Sequence, residues 1–274
     1  MITPQGNSIS GSKAPEGWKP GSLLQRGRRM ASTPAAKYAG GYPTTVAPTQ
    51  QRASLEATIS SQGPFPALTA ILGVDLNGTP LVLDLADPTP GAILISGQPG
   101  NGRRLLRAIL ASTILINRPQ QAAVRIIANE ARHYDDFFQA DHVRQILSAD
   151  DPAVNEACVS LLPEMGLHTH GSRYAPATLL LVDGLAALAE NLDKQAFASL
   201  CWLARHGSRL RTWLIATLPS GQEVEVEELL LEAFGTRLIE NDPAEVFDAQ
   251  GEAVGQFRLA LEDQTIQLWM CEAE

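Results

Sequence analysis

Ala92-Ile93-Leu94-Ile95-Ser96-Gly97-Gln98-Pro99-Gly100-Asn101-Gly102-Arg103-Arg104-Leu105-Leu106-Arg107-Ala108-Ile109-Leu110 is the stretch that decides how this chain is read. Its first five residues form a short apolar run that suits a buried strand. Three glycines and a proline follow, and then apolar residues at helical spacing: Leu105, Leu106, Ile109 and Leu110. Strand, glycine-rich turn and helix in that order make the scaffold of a phosphate-binding loop. There, backbone N–H groups of the turn and of the helix N-terminus surround an anion. The complete signature, G-x-x-x-x-G-K-[ST], adds a lysine for the phosphates and a hydroxyl for Mg²⁺. Gly97 and Gly102 fill the glycine positions, but Arg103 stands where the lysine belongs and Arg104 where the hydroxyl belongs. The plainer reading is an α/β turn in which the glycines supply only backbone freedom.

Working outward, the flanking sequence alternates strand and helix. Ahead of the loop, a short helix is expected over Ala53–Ser61. A hairpin is expected over Leu72–Leu85, turning at Asn77-Gly78. After it come a helix over Arg103–Ile116, a buried strand at Val124–Ala128 and a helix over Ala153–Met165. A third strand, Thr178–Asp183, ends in an acid. A long amphipathic helix over Ala186–Arg205, strands at Thr212–Thr217 and Arg237–Glu240, and a closing hairpin over Gln256–Met270 complete the chain. Near-continuous apolar strands alternating with helices imply a largely parallel sheet covered on both faces. Ligands of such sheets sit beyond the C-terminal strand ends, where Gly97–Arg104, Asp183 and Thr217 all fall.

Composition narrows the class. The 274 residues are 45% hydrophobic, enough for one large domain and a tail, or for two small domains. Residues 1–52 are rich in Gly, Ser, Pro, Thr and Ala and are expected to form a basic, disordered arm, leaving 53–274 as the folded domain. Within residues 1–60, seven Lys/Arg face two acids, a net +5, so the formal −9 of the chain leaves −14 for residues 61–274. Arg26-Gly27-Arg28-Arg29 in the arm can meet nucleic acid or an acidic partner, or be solvated charge. The acidic body argues against a broad nucleic-acid surface. Cys158, Cys201 and Cys271 are widely spaced and form no C-x-x-C pair, which disfavours a zinc site or a disulfide framework. No apolar run approaches the roughly 18 residues of a membrane span and no signal-peptide core is present, so a soluble, cytoplasmic protein is expected.

Asp183 has two readings. It can be the Mg²⁺-holding acid at the end of a second P-loop strand, or a helix N-cap for the segment after it. Five stretches then occur in the order of a known family. Gly73-Val-Asp-Leu-Asn-Gly-Thr-Pro-Leu-Val-Leu-Asp-Leu-Ala is a G-x-D-x-x-G-x-P-x-x-x-D-L-A lead-in, followed by the glycine loop. Glu164-Met165 and Arg173-Tyr174 are similar to E-M-x-x-R-Y with a few residues inserted. Ala204–Ser220 is similar to A-R-A-x-G-I-H-L-I-x-A-T-Q-R-P-S, and Thr236-Arg237 to a T-R-I strand. In these, residues 70–240 resemble the FtsK/SpoIIIE/HerA-type DNA-pumping ATPases. The resemblance implies a RecA/FtsK-like P-loop NTPase fold, here with a C-terminal β-hairpin. It also implies ATP or another nucleotide as ligand, DNA as a partner, and a homo- or hetero-oligomeric ring with a related ATPase.

The departures fall where hydrolysis would occur. Besides the two arginines, Gly184 stands where the family has its water-activating glutamate, and Leu218 where it has the Gln of A-T-Q. Residues 38–274 contain a single lysine, Lys194, so none in the loop can substitute. Arginine offers a planar fork of donors rather than a compact ammonium. The expected site is therefore Gly97, Gln98, Pro99, Gly100, Asn101, Gly102, Arg103, Arg104 and Thr217 for a nucleotide or other anion, with Asp183 as a degenerate metal acid and Mg²⁺ doubtful. A non-hydrolysing pseudo-ATPase is the leading expectation. An active DNA translocase with an unusual loop and an α/β scaffold without nucleotide function are the alternatives. The arginines are expected to add donors for phosphate, or else to turn outward or pair with acids such as Asp183.

Overall fold

The computed structural model describes residues 54–75, 77–169, 176–242, 256–260 and 265–272. The arm at 1–52, the Arg26–Arg29 cluster and the Arg173-Tyr174 pair lie outside them, as do the side chains of Glu164 and Met165. In chain order the elements are α1 (Leu55–Gln62), β1 (Thr69–Val74), β2 (Pro80–Asp84), β3 (Ile93–Gly97), α2 (Pro99–Ile116), β4 (Ala122–Ala128) and β5 (Val143–Ser148). There follow α3 (Ala153–Thr169), β6 (Ala177–Asp183), α4 (Leu185–Asn191), α5 (Lys194–His206), β7 (Thr212–Pro219), α6 (Glu228–Leu231), β8 (Thr236–Glu240), β9 (Phe257–Ala260) and β10 (Thr265–Leu268).

Eight strands form one sheet in the order β10-β9-β8-β3-β7-β6-β4-β5. The six from β8 to β5 are mutually parallel, and β9 and β10 add an antiparallel hairpin at one edge. The continuous apolar runs follow from burial on both faces, since successive residues of a strand point to opposite sides. Ile93 and Ile95, Leu179 and Leu181, and Trp213 and Ile215 face one core, where α2 brings Leu105, Leu106 and Ile109. Leu94, Leu180, Val182, Leu214 and Ala216 face the other, against α3, α4 and α5. Each large side chain removed from water here contributes about 1.5–3 kcal/mol before entropy is counted.

The lead-in hairpin β1–β2 is a separate two-stranded antiparallel sheet. Its turn is held by Asp75, whose Oδ1 accepts the N–H groups of Asn77 and Thr79, while Gly78 takes the left-handed φ of +76°. β1 docks on α2: Ile71 N–H donates to the Ser112 hydroxyl, and Leu68 N–H to the Asn117 side chain.

Two expectations need correction. The helix after the glycine stretch starts at Pro99 instead of Arg103, so Gly100, Asn101 and Gly102 form its first turn. Proline suits that first position because its φ is already helical and its missing N–H would have no partner there. The single helix expected over Ala186–Arg205 is two, α4 and α5. Leu192 is extended, and Asp193 caps α5 by accepting the Ala196 N–H. One strand had no counterpart in the sequence reading: β5 is the outer parallel strand beside β4.

Candidate functional site

Strand register sets the site. In the parallel ladder Asp183 of β6 pairs with Thr217 of β7, and Ile95 of β3 pairs with the same Thr217. The C-terminal ends of the three strands thus finish level, with the first turn of α2 above them. A cleft of about 320 Å³ opens there, lined among the expected residues by Gly97, Gln98, Gly102, Arg103, Asp183 and Thr217. Gly100, Asn101 and Arg104 are not among its lining residues.

Arg103 crosses this cleft to Asp183, with Nε 2.7 Å from Oδ2. The other carboxylate oxygen of Asp183 accepts the Thr217 hydroxyl at 3.1 Å, and that hydroxyl accepts the Gly184 N–H at 2.9 Å. Asp183 therefore does not cap the following helix. Gly184, at a left-handed φ of +105°, is the N-cap residue of α4. The Asp183 side chain is 6% exposed and the Arg103 side chain 25%, so the pair is largely desolvated at the acid's end. Arg104 points the other way, with Nη2 2.7 Å from Glu272 Oε1. Of the two readings for the arginines, the geometry is that of pairing with acids.

The N-terminus of α2 is similarly engaged. Pro99 has no N–H, and the N–H groups of Asn101 and Gly102 both turn back to the Gln98 carbonyl. The Gln98 N–H donates to Glu240 Oε2 at 2.5 Å, and the Asn101 side-chain amide donates to Glu240 Oε1 at 2.5 Å. Gly102 packs on Thr217 closely enough that a Cβ would sit 3.4 Å from its methyl.

Several residues that the sequence reading passed over belong to the site. Asn129, Glu190, Gln222 and Glu225 line the cleft, and two of them bring negative charge. Tyr134, in a 3₁₀ helix over Ala131–Phe137, is fully buried, and its hydroxyl has no hydrogen-bond partner among the described residues. Burial pushes its pKa up, the Asp183 carboxylate adds to that, and the group is a neutral phenol. Arg107 holds the segment by donating to the His133 carbonyl and to Asp136, with its guanidinium 5.0 Å from the centre of the Phe137 ring.

Among the described residues no group of three or more His, Cys, Asp or Glu side chains converges. Both oxygens of Asp183 are already hydrogen-bonded, and Arg104, which stands at the hydroxyl's position in the sequence, pairs with Glu272.

No protein-family model and no curated protein matches the sequence. Solved structures do. EssC (ATPases 2 and 3) from Geobacillus thermodenitrificans superposes with a TM-score of 0.64 at 12% identity, covering 82% of this chain and 45% of that one. The cytoplasmic domain of EssC gives 0.62 at 12% identity, covering 82% and 48%. The pCW3 conjugation coupling protein TcpA, in its monomer form with ATPγS, gives 0.55 at 16%, covering 77% and 68%. The chain spans about half the length of the two EssC structures. No helix among the described residues is long and apolar enough to cross a membrane. The mostly parallel eight-stranded sheet flanked by helices is the P-loop ATPase fold of these structures.

Proposed function

We propose that this chain is a degenerate FtsK-like ATPase domain that does not hydrolyse ATP and acts as a non-catalytic module beside a related ATPase. The Arg103–Asp183 ion pair carries the reading. Phosphoryl transfer on this fold needs a cation on the β- and γ-phosphates, a metal held by a hydroxyl and an acid, and a group that places water. Here the first two roles collapse onto each other, because the residue at the lysine position neutralises the metal acid. Gly184 offers no side chain for the third.

Electrostatics point the same way. Among the described residues the cleft presents Asp183, Glu190 and Glu225 against one cation, Arg103, a balance that disfavours a polyphosphate. Mg²⁺ does not fit the donors present, for the reasons of charge and occupied oxygens given above. A module of this kind suits the company its fold keeps, since one similar structure is named for two ATPases in one chain. We read the partner as a related ATPase in a ring or tandem, with DNA or a protein as the assembly's cargo. Titration calorimetry with ATP, with and without Mg²⁺, tests the reading. Weak binding that Mg²⁺ does not improve supports it. Micromolar binding that requires Mg²⁺ refutes it and favours an active translocase.

A further inference from the structure

Glu240 is remote in sequence from the glycine loop, yet it makes that loop's closest polar contacts. We propose that its carboxylate is an internal ligand of the loop, occupying the seat of an anion and thereby controlling whether polyphosphate can bind. The inference deepens the functional reading above and rests on the loop being a phosphate-binding loop in origin.

Placement comes from the sheet. β8 runs parallel to β3, with Ile95 beside Leu238 and Ser96 beside Ile239, so the next pair along brings Glu240 against Gly97. The fit is close: a Cβ on Gly97 would lie 2.3 Å from Glu240 Oε2 and 2.5 Å from its Cβ. Gly97 is thus required for the carboxylate to reach the loop. Both oxygens are used, one by the Gln98 N–H and one by the Asn101 amide. Meanwhile α2 lacks an N-terminus of its own making. Gln98 supplies no side-chain cap, and the first turn holds no acid. Glu240 provides both the acceptor and the negative charge that a helix N-terminus favours.

The consequence is competition. Gln98 lines the cleft, and a phosphate that takes its N–H must displace the Glu240 carboxylate from that donor. Where only a fraction of molecules is open, the apparent affinity falls by that fraction. The loop retains the design of an anion site but is liganded from within. Release of Glu240, by movement of β8 or by a partner that pairs with its carboxylate, would free it.

The test uses the full chain as wild type, Glu240→Ala and Glu240→Gln. Pyrophosphate and ATP are titrated calorimetrically in EDTA, and hydrogen exchange is followed at Gln98–Arg103. Loss of one charge-assisted internal competitor should tighten pyrophosphate binding about ten- to hundredfold in the alanine variant. The glutamine variant should fall between. Exchange at those amides should quicken in free Glu240→Ala and slow again with pyrophosphate. Equal affinities in all three proteins, or tighter binding that leaves those amides unaffected, overturns the proposal. If the alanine variant does not fold, the near-isosteric Glu240→Gln carries the test, and failure to tighten by about threefold counts against it. ATP turnover read on the same samples separates the two readings. Tightening without turnover supports both. Tightening with turnover keeps the Glu240 proposal and removes the non-hydrolysing one, and no tightening overturns the Glu240 proposal whatever the turnover.

Discussion

Breaking the Arg103–Asp183 pair from its two ends should cost unequal amounts. Arg103→Met removes the cation and leaves a carboxylate that is 6% exposed, with the Thr217 hydroxyl as its remaining partner. Stranding one member of a fully buried pair costs about 3–5 kcal/mol. Arg103 is a quarter exposed and water can enter the cleft, so about 2–3 kcal/mol is the better figure here. Asp183→Asn keeps the shape and one acceptor for Thr217, and it frees Arg103 to swing into solvent, for about 1 kcal/mol. For a domain of this size each kcal/mol moves Tm by about 2–4 °C, so Arg103→Met should lower Tm by about 4–12 °C and Asp183→Asn by about 2–4 °C. Combining Arg103→Met with Asp183→Leu should recover most of the loss, since an apolar pair carries no desolvated charge. Urea and thermal unfolding followed by circular dichroism read all three proteins. Equal costs for the two single variants, or costs for both below about 0.5 kcal/mol, would show that Asp183 is not a buried charge held by Arg103.

Gly100→Ala should raise stability by about 0.5–1 kcal/mol, because the position is helical and a Cβ there meets nothing within 4 Å, whereas Gly97→Ala should lower it by about 1–3 kcal/mol by driving Glu240 aside. Urea midpoints of the two variants decide this, and a destabilising Gly100→Ala would contradict a helix that begins at Pro99. Cys158, pushed up to about 12 by burial, should resist alkylation at pH 8 in the folded protein and react once urea unfolds it. Its folded value lies above the ordinary thiol value of 9.0, so the unfolded chain loses this proton first on raising the pH. The associated stability is complete below pH about 9 and is lost toward about 12, and chemical unfolding at pH 8 and pH 10.5 should show the decline.

The parallel core was legible because burial on both faces leaves a plain mark, the runs Ile93–Ile95, Leu179–Val182 and Trp213–Ala216. β5 left no such mark. Val143–Ser148 is mostly half-buried at the sheet edge, with neither a continuous apolar run nor clean alternation. The start of α2 was misplaced because Gly100 and Gly102 count as loop signals in any local reading. The turn closes through the Asn101 and Gly102 N–H groups on the Gln98 carbonyl, and its only long-range partner described above, Glu240, comes well over a hundred residues later. The break before α5 did have a local signal, Asp193 followed by a helix-forming run, and the amphipathic period across it hid that signal. At the site, the alternatives for Arg103 could be stated from sequence, but the choice between phosphate and Asp183 depends on strand register, which sequence alone does not supply. Glu190 and Glu225 reach the cleft from a helix and a turn that only the fold brings beside it.

The most direct measurement is steady-state ATP turnover by the purified chain at saturating ATP and Mg²⁺, with and without double-stranded DNA. With Arg103 bound to Asp183 and no side chain at position 184 to place water, no rate above the uncatalysed background is expected in either condition. A rate of about 1 s⁻¹ or more, stimulated by DNA and abolished in the Asp183→Asn protein, would contradict the account.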